Sequence, residues 1–406
     1  MPRVNWSRFL RSWASWLTRL GTTVRPRFRP ALVSLEDRTV PTFGGWVSVA
    51  AGDVNGDGFA DIVTGAGEGG GPHVRVLSGQ DGADLHSFYA YDSRFTGGVY
   101  VGVGDVTGDG VADVVTGAGP GGGSHIRVFD GRTGAGVSSF FAFDPAFTGG
   151  VTVAVADMNG DGYADIIAGA GPGGGPNVRV FSGKDLAELG SFFAYSPAFT
   201  GGVNVAVGDV TGDGVPDIVT GAGESGGSHV RVFDGLTGQA SAEWFASVTA
   251  VLGGARVAVG DVTGDGRADV IASVGVGVVP HVRVFDVVGS APVADFVAFP
   301  TPLRGGVGVT SADLDADGRA DLIVAEGVGG TAQVRAVSSN GLTERTRFTA
   351  YAPAESPGGF SVFAGIAAAP PGVPPVATPP LPPVAPPLTP PAVPPIVPAG
   401  PPVTPQ

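Results

Sequence analysis

The 406-residue chain has no cysteine, a single lysine (Lys184) and no apolar run near the roughly 18 residues that a membrane-spanning helix needs. Each absence removes a class of function. Without thiols there is no disulfide framework, thiolate zinc site, iron–sulfur cluster or thiol nucleophile, so an extracellular address would need another source of stability. Oxygen ligation of a metal stays open. Positive charge is scarce as well: 23 Lys and Arg stand against 37 Asp and Glu, a net charge of −14. Affinity for nucleic acid depends on cations that neutralise phosphates, so this chain is not expected to bind it. What the chain has in excess is glycine, 70 residues, without the G-X-Y period of collagen, which reads as the turns of a β-rich protein.

Charge divides the chain into three zones. Residues 1–42 carry eight Arg against Glu36 and Asp37, residues 367–406 carry no charge, and the middle holds 35 acids against 15 bases. In the first zone Trp6, Phe9, Leu10, Trp13, Trp16, Leu17 and Leu20 fall on one helical stripe and Arg8, Arg11 and Arg19 on the opposite face, the pattern of a basic amphipathic helix. Such a helix suits export or an anionic membrane surface. The last zone holds 18 of the 35 prolines between Pro370 and Gln406. Proline lacks an N–H and fixes φ, so this segment is expected to be a disordered or extended polyproline II tail, up to about 115 Å long.

The middle zone is a repeat. The string D-x-[NTD]-x-D-G-x-x-D begins at Asp53, Asp105, Asp157, Asp209, Asp261 and Asp313, each 52 residues after the last. Other residues keep the same register, including the columns headed by Arg75 and by Phe88. A unit reads as four short strands. In the second, Val99, Val101 and Val103 share one face of "GGVYVGVGDV", "ADVVTGAG" follows the Asp loop, "HIRVFD" alternates, and "SSFFAFD" closes with aromatics. Strands this short leave a face uncovered unless neighbouring units stack on it, which predicts an all-β, six-bladed β-propeller. After the sixth unit "PGGFSVFAGI" (357–366) repeats the first strand without its loop. It either latches a six-bladed ring or begins an incomplete seventh blade. No sequence remains to finish another blade, which favours six.

Each loop places carboxylates at positions 1, 5 and 9, an oxygen side chain at 3 and Gly at 6. Gly permits the tight turn that lets side chains at 1, 3 and 5 converge, and clustered hard oxygens without His or Cys select Ca²⁺. The backbone carbonyl of position 7 is a further expected ligand. An EF-hand would need an acid at position 12 and a following helix. Position 12 is Thr64, Thr116, Ala168, Thr220, Ala272 or Val324, and the flanks are β-branched.

The D-x-[NTD]-x-D-G-x-x-D loop followed by "GAGPGGG" resembles the FG-GAP or VCBS-type repeats of the integrin α-chain head, over Gly44 to about Ile366. The resemblance implies a propeller over residues 43–366 with up to six Ca²⁺. The ions would be held by Asp53, Asn55, Asp57 and Asp61; Asp105, Thr107, Asp109 and Asp113; Asp157, Asn159, Asp161 and Asp165; Asp209, Thr211, Asp213 and Asp217. The fifth and sixth sets are Asp261, Thr263, Asp265 and Asp269, then Asp313, Asp315, Asp317 and Asp321. Thr at position 3 departs from the usual Asp or Asn and is expected to weaken loops two, four and five. "LVSLEDRTVP" (32–41) resembles the LEDR-type segment near the start of many planctomycete surface and secreted proteins, which implies export.

Two further columns carry expectations. His73, His125, His229 and His281 lie on different blades, cannot converge on one metal, and are assigned to packing; the Arg column is expected to pair with carboxylates between blades. Where the repeat varies, function is expected. Ser48, Tyr100, Thr152, Asn204 and Arg256 occupy one varying position of the first strands and are candidates for a ligand site at the channel mouth. The expected protein is a non-enzymatic, extracellular or cell-surface calcium-binding propeller for adhesion or recognition of a protein or glycan. Envelope contact would come through the N-terminal helix or the Pro-rich tail. The alternatives are a propeller-type polysaccharide lyase or hydrolase, which would need a non-repeated acid–base cluster, and a purely structural envelope component.

Overall fold

A computed structural model describes residues 47–349 apart from 59, 69–70, 79–82, 247–252, 275–279, 288–291, 300–306, 314–316, 327–332 and 340–341, together with 362–365. The N-terminal helix, the LEDR segment, the Pro-rich tail and Asp315 lie outside the described residues. Every described element is a strand. The first blade is β1 (Val47–Gly52), β2 (Asp61–Ala66), β3 (His73–Leu77) and β4 (Asp84–Tyr89). The second is β5 (Val99–Gly104), β6 (Asp113–Ala118), β7 (His125–Phe129) and β8 (Gly136–Phe141), and the third β9 (Val151–Ala156), β10 (Asp165–Ala170), β11 (Asn177–Phe181) and β12 (Glu188–Phe193). The fourth is β13 (Val203–Gly208), β14 (Asp217–Ala222), β15 (His229–Phe233) and β16 (Ala240–Phe245), and the fifth β17 (Ala255–Gly260), β18 (Asp269–Val274), β19 (His281–Phe285) and β20 (Ala294–Val297). The sixth is β21 (Val307–Ala312), β22 (Asp321–Glu326), β23 (Gln333–Val337) and β24 (Glu344–Thr349), and β25 (Val362–Gly365) follows.

Within each blade consecutive strands pair antiparallel. Burial falls from the axis outward: the second strands β6, β10 and β14 are buried along their whole length, the third strands alternate, and the fourth strands are mostly exposed. The core is therefore a set of layers between blades. One layer joins Val63, Val74 and Val76 of the first blade to Val99, Val101 and Phe129 of the second, and four more repeat it as far as the sixth. Fourth-strand aromatics complete each layer by stacking on the next blade: Phe88 on Phe129 at 4.5 Å, Phe192 on Phe233 at 4.5 Å and Trp244 on Phe285 at 4.9 Å between centroids. This is the six-bladed β-propeller that the 52-residue period predicts.

The Arg column does cross between blades, but to backbone. Arg127, Arg179 and Arg231 donate through Nη1 to the carbonyls of Ala90, Ala142 and Ala194 on the preceding blade, at 2.5, 3.1 and 2.6 Å. Their carboxylate partners lie on the same blade: Arg75 pairs with Asp84, Arg179 with Glu188 and Arg283 with Asp295. The reason is geometric. The Arg sits on the third strand, where the adjacent fourth strand offers the nearest carboxylate, and the neighbouring blade reaches it with a chain turn.

β25 closes the ring in a way the sequence leaves undecided. It pairs parallel with β1, Ser48 opposite Phe363 and Ala50 opposite Gly365, and also parallel with β21. It thus lies between the innermost strands of the first and sixth blades and merges them into one nine-stranded sheet. It is a latch along the inner strands and starts no seventh blade.

The first two strands of a blade also meet through glycine beyond their last ladder pair, Val99 opposite Ala118. Gly119 N–H donates to the carbonyl of Gly98 at 3.0 Å, and a Cβ on Gly119 would collide with the carbonyl oxygen of Gly97. Gly119→Ala should therefore cost about 1–3 kcal/mol through overpacking. A urea titration should register this as a lower midpoint with the slope unchanged; an unaltered midpoint would refute the close approach.

Candidate functional site

Each Asp loop joins the first two strands of a blade, so all of the loops emerge on one face. Their shape is made by the carboxylates themselves. In every loop the position-1 aspartate accepts the position-6 amide through Oδ2 at 2.8–3.0 Å. Its Oδ1 accepts the position-5 amide at 3.0–3.2 Å. These bonds need a left-handed residue at position 6, and Gly58 has φ of 87°, a conformation Gly adopts without strain. A second requirement was missed in the sequence: position 4 is also a left-handed Gly in the first five loops. The position-7 side chain of the next loop packs over it, as Tyr163 does over Gly108 and Arg267 over Gly212. The recurrence of Gly at position 4 was a readable signal.

The loops are linked to one another. The position-8 amides of Ala112, Ala164, Ala268 and Ala320 donate to the position-1 carbonyls of Asp53, Asp105, Asp209 and Asp261 on the preceding blade at 2.7–3.1 Å. In the fourth loop position 8 is Pro216, which has no N–H to give to Asp157.

Position 5 is exposed, positions 1 and 3 are mostly half-buried, and position 9 is buried. Asp61, Asp165, Asp217 and Asp321 are 0% exposed. The Oδ1 atoms of Asp113, Asp165, Asp217 and Asp321 point to the turn between the third and fourth strands, where Gly131, Gly183, Gly235 and Ser339 donate their amides to them at 2.9–3.2 Å. Oδ2 accepts loop amides, Val54 to Asp61 at 3.0 Å and Met158 to Asp165 at 2.9 Å. In Asp113, Asp165 and Asp217 both carboxylate oxygens accept backbone amides, so the position-9 aspartate also ties the loop to the blade. Burial raises the carboxyls of Asp113, Asp165, Asp217 and Asp269, those of Asp165 and Asp269 to about 6, with the charges of Asp157 and Asp161 adding to the effect at Asp165.

Position 3 separates two kinds of loop. Asn55 and Asn159 turn outward and accept the position-5 amides at 2.7 and 2.9 Å. The hydroxyls of Thr107, Thr211 and Thr263 are buried and make no hydrogen bond. They lie beside the position-9 carboxylates, which burial pushes toward the neutral form. Position 5 also varies, since Arg132 pairs with Asp109 at 3.3 Å and Arg267 with Asp265 at 2.7 Å. Among the described residues no three His, Asp or Glu side chains converge into a metal-holding group. Each of the first five loops instead offers an exposed and a half-buried carboxylate, a side-chain oxygen and backbone carbonyls, over a buried carboxylate. An all-oxygen donor set of this kind, with orphaned hydroxyls in three loops, fits a hard divalent cation.

At the opposite face Ser48, Tyr100, Thr152 and Asn204 come together around one cavity, with Val101, Val153, Val205 and Val257. Three of these polar side chains bridge blades. Ser48 Oγ accepts the Val101 amide at 3.0 Å, Thr152 Oγ1 donates to the Val203 carbonyl at 2.9 Å, and Asn204 Nδ2 donates to the Ala255 carbonyl at 2.8 Å. Arg256 stands near Tyr100 and Glu224. Desolvation pushes the Tyr100 phenol up to about 12 and the Arg256 guanidinium down to about 10. The His column behaves as packing: the rings of His125 and His229 stack on Phe141 and Phe245 at 4.8 Å. Among the described residues no helix is long and apolar enough to cross a membrane.

The fold is a six-bladed propeller with an aspartate loop at the same joint of every blade. Residues 105–168, 157–220 and 209–272 match the FG-GAP-like repeat and residues 45–83 the FG-GAP repeat, about half of the chain in all. The chain belongs to the FG-GAP repeat family. No curated protein matches it. Among solved structures it is similar to one titled "Structure of U3-55K", with 12% identity, 78% of this chain and 86% of that chain covered, and a TM-score of 0.48. It is similar to the V. cholerae biofilm matrix protein Bap1, with 21% identity, 70% and 43% covered, and a TM-score of 0.38. It is also similar to the exotype rhamnogalacturonan lyase YesX, with 14% identity, 75% and 57% covered, and a TM-score of 0.43. The chain spans about half the length of these last two.

Proposed function

We propose that this chain is a non-enzymatic, calcium-stabilised propeller of the cell exterior that recognises a ligand through the face opposite its Asp loops. The observation that carries the reading is the division of labour between faces. One face holds six acidic loops whose position-1 aspartates accept the same two amides, and the other holds side chains that differ from blade to blade. Asp53, Asn55 and Asp57, and the corresponding residues of the other loops, would hold the cation, with the position-9 aspartates beneath as a fixed negative charge. A bound divalent ion would supply positive charge to a cluster of like charges and so hold the strand joints in place, the task disulfides perform in other exported proteins. Several buried polar groups are already occupied structurally: position-9 aspartates accept backbone amides, and the hydroxyls of Tyr91 and Tyr195 donate to carbonyls of the next blade.

Calorimetric titration with Ca²⁺ tests the site. The expected isotherm has two classes, the Asn loops one and three binding more tightly than the Thr loops two, four and five, with dissociation constants of about 10⁻⁴ to 10⁻³ M. Thr211→Asn should move one site from the weak class to the tight one. Absence of any heat at millimolar Ca²⁺ would sink the proposal.

A further inference from the structure

The outermost strands carry a feature that the sequence columns hid. Tyr89, Phe141, Phe193 and Phe245 are the last residues of β4, β8, β12 and β16, and they are 47, 48, 50 and 60% exposed. These values are unusual for rings in a well-packed blade. Three of the four rings are backed by an imidazole, whereas Phe193 has Asn177 at the corresponding place. Phe141 and Phe245 stack on His125 and His229 at 4.8 Å with interplanar angles of 20° and 15°, and Tyr89 leans on His73 at 5.1 Å. The edges of Tyr89, Phe141 and Phe193 lie against the turn glycines Gly71, Gly123 and Gly175. In the fifth blade the same position is Val297, and in the sixth it is Thr349, so the aromatic series covers four consecutive blades and breaks the pseudo-symmetry.

Polar groups flank each ring. Ser87, Ser139 and Ser191 bond to His73, His125 and Asn177 at 3.0, 2.7 and 3.2 Å. The cations beside the rings are largely compensated, since Arg75, Arg179 and Arg231 meet Asp84, Glu188 and Glu243. Single rings separated by hydroxyl and imidazole groups do not form the contiguous apolar patch that a protein interface presents. A flat ring with hydrogen-bonding groups at its margin matches a sugar, whose C–H face is apolar and whose edge is hydroxyl. The net charge of −14 repels polyanions, and four equivalent platforms in series suit a repeating polymer.

Resting on the recognition reading above, we infer that the outer rim of blades one to four is a binding surface for a neutral polysaccharide, with Tyr89, Phe141, Phe193 and Phe245 as stacking platforms. Affinity electrophoresis of the full chain in gels containing hydroxyethylcellulose, galactomannan, xyloglucan or dextran tests it, with polygalacturonate as the acidic counterpart. Retardation is expected in at least one neutral gel. The single variants Phe141→Ala and Phe193→Ala should weaken it about three- to tenfold each, and the fourfold alanine variant should abolish it. Phe141→Leu should lose as much as Phe141→Ala, because leucine is apolar but has no flat face. The melting temperature of each variant checks that the blades remain folded. Mobility unchanged in all four neutral gels overturns the inference, as does retardation that survives in the folded fourfold variant or in polygalacturonate alone. Chelation separates this from the calcium reading: if chelator leaves the melting temperature unmoved while retardation persists, only the calcium reading fails.

Discussion

Removal of divalent cations should lower the melting temperature of this protein by roughly 10–20 °C. Six loops hold 19 carboxylates, and like charges within a few ångströms repel by about 1 kcal/mol per pair even in water. If each site is filled to ten times its dissociation constant, linkage contributes about 1.4 kcal/mol per site and about 8 kcal/mol for six independent sites. For a domain of this size each kcal/mol moves the midpoint by about 2 °C. The loops are not expected to lose their shape in every case, because the position-1 aspartate bonds to the position-5 and position-6 amides without help. The loss should fall on the joints between blades, where neighbouring loops share amide-to-carbonyl bonds. Differential scanning calorimetry with and without chelator, at constant ionic strength, reads the difference directly. Coincident endotherms would remove calcium from the account of stability.

Deletion of residues 362–406 should destabilise the ring by about 4 kcal/mol or more, whereas deletion of 372–406 should leave the melting temperature within about 2 °C. β25 is bonded on both sides, to β1 and to β21, and each backbone hydrogen bond contributes about 1 kcal/mol net. Its loss also separates the first and sixth blades, which sequence-adjacent contacts cannot join. The shorter deletion removes only the proline-rich end, which has few amides to contribute to a sheet. A denaturant titration of both truncations decides the matter: equal midpoints would deny β25 its closing role.

The period of 52 residues made the architecture legible in advance. Strand alternation, turn glycines and the absence of any helical stripe in the middle zone each pointed to stacked four-stranded units, and local pattern determines local structure. The oxygen chemistry of the loops was legible for the same reason, since positions 1 to 9 are neighbours in the chain. Other features depend on atoms that meet across blades, and spacing within one unit is silent about them. Asp165 reads as a ligand from its place in the motif, and the motif does not show that the fold also buries it against the amide of Gly183. Arg127 reads as a partner for carboxylates, but its nearest acceptor between blades is the carbonyl of Ala90. Tyr89 and Phe88 are adjacent in sequence and equally aromatic, and only strand pleating sends Phe88 into the interblade layer and Tyr89 to the rim. The direction in which β25 enters the ring was likewise open, because a four-residue strand can pair either way. The chain alone established a propeller of six aspartate-loop units; which of its side chains face a neighbouring blade, and which face outward, was decided by the closure of those units around a common axis.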